Sequence, residues 1–438
     1  MRVHFIGIGG IGVSALAQYY LKKNYKVSGS DLSSSEIIDL LEKKGAKIFI
    51  GQSARNITEN IDLIIYSPAV KKDNPEFKEA KRLKIKCLSY PEALGELTKK
   101  HFTIAVSGTH GKSTTTAMLA LVLIKAGLDP TVVVGTKLKE FSNSNFRMGK
   151  SKYLLIEACE HEESFLNYWP RIIVITNIER EHLDYYENLK NIMEAFKKFI
   201  SHLPKNGLLV INKEDKNITK LLNCSTAKLL NIKNFSIKRT EAKKLQEILK
   251  VPGEHNIYDA LAALTVAREL KIPDKTSFKA LSEFKGTWRR FDISDLKIKN
   301  YKLKIIYDYA HHPTEIKATL KAAREKFPSK KIWCLFQPHQ YQRTYFLFND
   351  FVNVFAEAVK EKWIDRIIIS QIYDVAGREN KKIKKKISSQ KLVKEIGSEK
   401  ISYISSIEDS EEYLRKKAGD IEILIVMGAG DVYKVFHR

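Results

Sequence analysis

Residues 107–116 read SGTHGKSTTT. The run follows the apolar stretch FTIAV and opens a helical one, TTTAMLALVLIKAG. Backbone N–H groups at a helix start are unsatisfied and sit at the positive end of the dipole. Glycines let such a backbone wrap an anion, Lys112 adds a point charge for outer phosphates, and Ser113 offers a hydroxyl to magnesium. The longer GxxxxGK[ST] spacing is not met, because Val106 stands at its first glycine; the run is the shorter G-T-H-G-K-S. A second loop, Gly7-Ile8-Gly9-Gly10-Ile11-Gly12, fits GxGxxG after a strand, and Asp31 ends the next strand. That pattern places a diphosphate near a helix N-terminus without saying whose diphosphate it is. A tight turn packing helix on strand reads the same way.

Further chemistry gathers just past strand ends, the edge where open α/β sheets bind ligands. In YLLIEACEHEES, Glu157 ends a strand; in VITNIEREHLDYYEN, Glu179 and His182 follow one. Magnesium prefers oxygen, so Glu157 with Ser113 is the natural pair, while His182 fits either a ligand or a hydrogen-bonded loop residue. YDYAHHPTE puts Asp308, Tyr309, His311 and His312 at another strand end, with Pro313 starting a helix. CLFQPHQYQRT repeats the arrangement with His339 and Arg343. Adjacent His311 and His312 project differently and lack a third ligand at zinc spacing. A carboxylate pocket of Arg343 and histidines suits these residues better, since arginine grips a carboxylate with two hydrogen bonds.

The elements that must hold these groups alternate strand and helix. Residues 1–100 run RVHFIGI, a helix from Val13 to Lys22, YKVSGSD, a helix over Ser35–Lys44, AKIFIG, IDLIIYSPA, a helix over Pro75–Leu83 and IKCLSY. This is the rhythm of a doubly wound parallel sheet. FTIAVSGTHGKS begins the pattern again and continues through YLLIEA, RIIVITNI, a helix over Leu189–Ile200 and GLLVIN. A lysine-rich stretch, 213–250, reads as mostly helical, and a helix over Asn256–Leu270 follows. After KGTWRRF a third round runs LKIIYDYA, helix 313–326, KIWCLFQP, helix 346–361, RIIISQIYD and IEILIVMGAGDVYKV. The expected fold is α/β in three domains: 1–100 Rossmann-like, 101–285 a P-loop ATPase-like α/β domain, and 286–438 again Rossmann-like. The units share no short period, so the chain is not a solenoid.

Composition narrows the class. A chain of 438 residues with 44% hydrophobic and 29% charged residues is globular, and no apolar run is long enough to span a bilayer. The glycine-centred start, MRVHFIGIGGIGVS, reads as strand and turn rather than a leader. Cys87, Cys159, Cys224 and Cys334 are scattered without a CxxC pair, which fits a reducing cytoplasm. The net charge is +24, yet the densest basic run, KKIKKKISSQKLVK at 381–394, has no aromatic residue for stacking and reads as a loop entering a helix. Nucleic acid is not expected as a partner; anionic nucleotides are.

Together these motifs resemble the Mur ligase family. GTHGKS, the Glu157 strand, NIEREHLD, GEHN (253–256), WRRF (288–291) and DYAHHPTE fall in the family's order, over nearly the whole chain. GIGGIG, FQPH followed by RT at 343–344, and the ending MGAGDVYKV favour a member that adds L-alanine to UDP-N-acetylmuramate over one that adds a tripeptide to the same sugar nucleotide. An NAD-dependent oxidoreductase built on the first glycine loop is the reading of another class, and it leaves GTHGKST unexplained. The resemblance implies an ATP- and magnesium-dependent, cytoplasmic ligase of peptidoglycan synthesis, not inserted in a membrane, working as a monomer or weak homodimer.

By the same resemblance, Gly7, Gly9, Gly10, Ile11, Gly12, Asp31 and Ser67 receive the UDP-sugar. Gly108, Thr109, His110, Gly111, Lys112, Ser113 and Thr114 cradle the ATP phosphates, with His255 and Asn256 near the adenine and Arg289 or Arg290 and Asp308 closing over ATP. Ser113, Glu157 and His182 hold metal, so that Lys112, Glu157 and His182 are catalytic; Tyr309, His311, His339 and Arg343 form the amino-acid site. The sequence departs from the family's usual pattern at three places. Cys159 stands where many members have Asp, Asp259 replaces the second Asn after GEHN, and Gln340 replaces an Arg. The 213–250 segment is also short.

Overall fold

The structure is a computed structural model, and it describes residues 1–223, 231–375 and 379–436; Cys224 lies outside them. It contains three sheets. The first joins β1 (Arg2–Ile6), β2 (Lys26–Asp31), β3 (Lys47–Ile50), β4 (Leu63–Tyr66) and β5 (Lys86–Ser89) in the order β3-β2-β1-β4-β5, all parallel. The second joins β6 (Phe102–Ser107), β7 (Thr131–Leu138), β8 (Ser144–Arg147), β9 (Tyr153–Glu157), β10 (Ile172–Ile175), β11 (Leu208–Asn212) and β12 (Asn231–Phe235) in the order β12-β11-β10-β6-β9-β7-β8. The third joins β13 (Asp292–Ile298), β14 (Tyr301–Asp308), β15 (Ile332–Phe336), β16 (Arg366–Ile369), β17 (Ile401–Tyr403) and β18 (Ile423–Met427) in the order β13-β14-β18-β15-β16-β17. Only β8 and β13 run antiparallel to a neighbour. Central strands such as IIVI in β10 and IWCLF in β15 are buried along their whole length, as parallel strands covered on both faces must be.

By contacts the chain divides into two compact units. One is Met1–Ile178, Met193–Glu241 and Tyr258–Ser282, with the first two sheets; the other is Glu179–Ile192, Ala242–Ile257 and Glu283–Arg438, with the third. Most expected helices form within two residues of their reading, among them Leu189–Ile200 and Pro313–Lys326. Three stretches differ. Helix 346–361 forms as Phe348–Lys360, and a short helix not expected from the sequence, Tyr341–Phe346, precedes it across Leu347, whose φ is −108°. The lysine-rich 213–250 stretch carries β12, an edge strand that buries Phe235, half-buries Ile232 and Asn234, and pairs in parallel with β11. The basic run opens with a short helix, Lys381–Lys384, whose first N–H groups bond to the Asn380 side chain.

Register explains why the motifs meet. Ile6 pairs with Ser30 on one side and Tyr66 on the other, so the loop at Gly7 emerges between Asp31 and Ser67. In the second sheet β6 lies between β10 and β9, with Ser107 level with Ile175 and Val106 level with Glu157. The GTHGKS loop therefore leaves the sheet between Thr176 and Glu157. In the third, Met427 is level with both Asp308 and Phe336, which brings the turns after β14, β15 and β18 to one edge.

Candidate active site

The first unit carries both glycine loops. At the first, Gly7 adopts φ +78°, and an added Cβ there would stand 3.0 Å from the Ser67 Cβ. Asp31 accepts from the Gly9 N–H at 2.9 Å and from the Leu32 N–H at 2.8 Å, so its carboxylate shapes the loop itself. Helix Ile11–Lys22 starts at Gly10 with no side-chain cap, leaving its first N–H groups to a ligand. A Cβ on Gly12 would fall 2.7 Å from the Tyr90 ring, so only glycine allows this contact. Burial, then the Glu157 charge, raises the Tyr90 phenol.

The second loop is held from behind. Gly108, at φ +133°, lies so close to Thr176 that a Cβ would come 2.1 Å from its hydroxyl. The Asn177 side chain accepts from the His110 N–H (2.8 Å) and donates to the His110 carbonyl (3.1 Å), while the Asn177 carbonyl accepts from the Thr109 N–H (3.0 Å). Gly111 is left-handed (φ +81°), and the helix Lys112–Lys125 then begins with no side-chain cap. Lys112 curls back, donating to the Gly108 carbonyl at 2.6 Å and the Thr109 carbonyl at 2.9 Å. Both oxygens of Glu160 lie beside it, at 3.1 and 2.9 Å. Burial works against this ammonium, but Glu160 outweighs it and the Lys112 pKa rises. Ser113 is buried at the helix start, and Glu157 accepts from the Gly135 N–H at 2.7 Å.

The departures from the family pattern have definite places. Asp259 accepts from the Thr115 hydroxyl at 2.8 Å and packs on Gly111, where a Cβ would meet it at 2.4 Å. Burial, followed by the Glu160 charge, pushes the Cys159 thiol up to about 12. Gln340 sits at φ +71° and ψ 131°, an unfavourable backbone for a residue with a Cβ.

The second unit gathers the remaining residues. Asp308 accepts from the Phe291 N–H and the Ala310 N–H, each at 2.8 Å, and burial raises its pKa to about 6. The two arginines of WRRF separate clearly. Arg289 is buried, donates to the Gly428 carbonyl at 2.6 Å and the Gly430 carbonyl at 3.2 Å, and lies 4.2 Å from the Tyr433 ring centre. It fastens the MGAGD turn. Arg290 keeps 31% of its side chain exposed, 3.5 Å from Glu315 and over the Tyr309 ring. His255 is partly buried and held down at about 4, by burial and then by Arg290, while Asn256 donates to the Pro252 carbonyl at 2.6 Å.

Tyr309, His311, His339 and Arg343 do come together. His311 is 5.3 Å from Tyr309 and 5.9 Å from His339, ring to ring, and Arg343 Nη1 is 3.0 Å from His339 Nδ1. Burial holds His311 at about 4 and His339 at about 2, so both are neutral. Glu181 is the residue that sequence reasoning missed. It accepts from Arg343 Nε at 2.8 Å and Nη2 at 2.7 Å. Burial opposes its charge, but Arg343 outweighs that and holds the carboxyl well below its usual range. In NIEREHLD three acids flank one histidine, and spacing does not single out this one. His182, next to it, adopts φ +53° ahead of the short helix Leu183–Tyr186. Of the expected metal ligands, Ser113 and Glu157 belong to the first unit and His182 to the second.

Comparison with known proteins agrees along the chain. Residues 2–102 match the family description "Mur ligase family, catalytic domain", 106–267 the "Mur ligase middle domain" and 289–430 the "Mur ligase, glutamate ligase domain". The chain belongs to the Mur ligase family. It is 41% identical to the UDP-N-acetylmuramate–L-alanine ligase of Clostridium acetobutylicum and 43% identical to that of Clostridium tetani, over 99% of this chain and 96% of each relative. Among solved structures, the UDP-N-acetylmuramate–alanine ligase of Thermotoga maritima matches with a TM-score of 0.79 at 29% identity, covering 100% of this chain and 98% of that one. A murein peptide ligase from Psychrobacter arcticus shares the fold at 22% identity, with a TM-score of 0.74 and the same coverage. The chain is a ligase of this family, and its three sheets are the family's three domains.

Proposed function

We propose that this ligase joins L-alanine to the lactyl carboxylate of UDP-N-acetylmuramate, giving UDP-N-acetylmuramoyl-L-alanine, ADP and phosphate for peptidoglycan precursor synthesis. The observation that carries the chemistry is the GTHGKS loop, an uncapped helix start with Lys112 buried against it. The substrates follow from relatives of that name, alike over 99% of the chain. The lactyl carboxylate attacks the γ-phosphorus of ATP, and ADP leaves from the acyl phosphate so formed. The alanine amine then attacks the acyl carbon, phosphate departs, and the amine's extra proton is lost.

The first step brings two anions together, so the chain must offset charge and align them. Lys112 is poised to turn from the Gly108 and Thr109 carbonyls to the phosphates. The helix starts that follow Gly10 and Gly111, both without a side-chain cap, suit the diphosphate and the ATP phosphates respectively. The oxygen donors of Ser113 and Glu157 fit magnesium, which when bound would supply positive charge to the phosphate oxygens, and His182 is assigned to metal by the family resemblance. Arg289 is committed to the Gly428 and Gly430 carbonyls, so we assign the ATP contact to Arg290. Residues 1–100 take the sugar nucleotide, 101–285 take ATP and 286–438 take the amino acid. No described helix is long and apolar enough to cross a membrane, and a cytoplasmic monomer or weak homodimer completes the reading.

The test is phosphate release from ATP and magnesium with UDP-N-acetylmuramate, with and without L-alanine, glycine, L-serine or the tripeptide. Release requiring both the sugar nucleotide and L-alanine, and abolished in Lys112→Ala, is expected. Preference for the tripeptide would reassign the acceptor, and no release with any pair would end the ligase reading.

A further inference from the structure

Glu181 and Arg343 form an ion pair that is almost wholly enclosed, each side chain less than a tenth exposed. The pair is lopsided. Arg343 aims Nε and Nη2 at one oxygen, Oε1, and its Nη1 is held by the His339 carbonyl and ring, each at 3.0 Å. The other oxygen, Oε2, is buried and accepts no hydrogen bond from any described residue; the nearest imidazole nitrogen, His312 Nε2, is 3.8 Å away. A buried carboxylate oxygen without a donor is costly, and such an oxygen marks a place for a ligand. Beside it is a cavity of about 10 Å³, room for a single water, bordered by Glu181, His182, Gln340, Arg343 and Leu347.

We propose that Glu181 is a substrate-binding residue that receives the ammonium group of the incoming amino acid, with Arg343 taking its carboxylate. Glu181–Arg343 is thus a receptor for a zwitterion, closed on itself when empty. The inference rests on the amino-acid ligase reading and deepens it. An α-amino acid at neutral pH carries one ammonium and one carboxylate, and the pair offers the complement of each. When the zwitterion enters, two ion pairs replace one, and the net charge of the enclosed site stays at zero. No charge is left buried without a partner, the condition an enclosed ionic site has to meet. The small cavity means the pair must open to admit the ligand. Glu181 binds the ammonium; the proton lost before attack goes elsewhere, because a carboxylate paired with arginine is a weak base.

The experiment compares two ligands that differ only in the ammonium. L-Alanine has it; propionate keeps the carboxylate and methyl group without it. Affinities for both are measured by calorimetry, with UDP-N-acetylmuramate and a non-hydrolysable ATP analogue present, on the wild-type protein, Glu181→Gln and Glu181→Asp. Glu181→Gln should weaken alanine about tenfold or more, as expected for one member of a buried charge pair, and leave propionate unchanged or tighter. Glu181→Asp, which keeps the charge, should hold alanine within a few-fold of wild type. Parallel changes for alanine and propionate, in either direction, would overturn the proposal: parallel tightening makes Glu181 only a counterion for Arg343, and parallel weakening makes it only a strut. Calorimetry needs no turnover, so a failure of phosphate release counts against the ligase reading and is distinguishable from a failure here.

Discussion

Single residues at this site act largely through what they exclude. Gly135 shows it. Its N–H points at Glu157, and a Cβ in its place would come 2.7 Å from the carboxylate. Gly135→Ala should turn the Glu157 side chain away and raise the magnesium concentration for half-maximal activity severalfold. The thermal midpoint should hold, because position 135 is exposed. A magnesium titration beside a melting curve checks both. Legibility at this scale followed chemistry. Gly108, Lys112, Glu157 and His311 stand out in the sequence because few other residue types could do the work proposed for them. The division of labour between Arg289 and Arg290 was not, since adjacent identical side chains carry no signal; the MGAGD carbonyls, some 140 positions away, decide it. Glu181 was hidden for the same reason, its partner Arg343 being 162 positions off.

Among the elements, helix Pro313–Lys326 bears most directly on the site, because the histidine pair leads into it. His312 is its N-cap: Nδ1 accepts from the Thr314 N–H at 3.2 Å, and Glu315 reaches back to the His312 N–H at 3.3 Å. Nδ1 as acceptor puts the ring proton on Nε2, which donates to the Arg180 carbonyl at 3.1 Å. The residue that looked like half of a metal site is thus a helix start. His312→Ala should destabilise by about 1 kcal/mol in urea unfolding, and His312→Asn, which keeps a capping acceptor, should recover most of that. The helix itself was plain in the sequence, from Pro313 and the apolar spacing after it. Strand β12 was not, because its two apolar residues, Ile232 and Phe235, are three positions apart and so mark no single face of a strand.

At the scale of the whole molecule, stability against pH follows from the neutral histidines. His255 and His311 sit near 4 and His339 near 2, against 6.5 when unfolded. As pH falls below 6.5 the unfolded chain takes up protons that the folded chain refuses, so stability drops. Asp308 opposes this. Its folded pKa of about 6 lies above the unfolded 3.8, so the folded chain binds that proton first and gains stability as pH falls through 6. Three bases against one acid leave a net loss, and the thermal midpoint should fall steadily from pH 6.5 to 4.5. His339→Asn should flatten that slope, a contrast that melting curves across the range will show. Composition set the broad class at this scale, and three returns of the strand–helix rhythm set the three sheets. The grouping of Glu179–Ile192 with the C-terminal unit was not foreseeable, since it depends on pairs such as Glu181–Arg343 that only the folded chain makes.

The raised cysteine at the phosphate loop has a practical side. A thiol at about 12 is thiolate about once in 10⁵ molecules at neutral pH, and only the thiolate is nucleophilic. Burial lifts Cys87 and Cys334 too, which lowers the thiolate share of all three described thiols. With Cys224 replaced, a cysteine introduced on each unit's surface would take a dye selectively, while the native three stay in place. Paired dyes of that kind would report the distance between the two labelled positions, one molecule at a time.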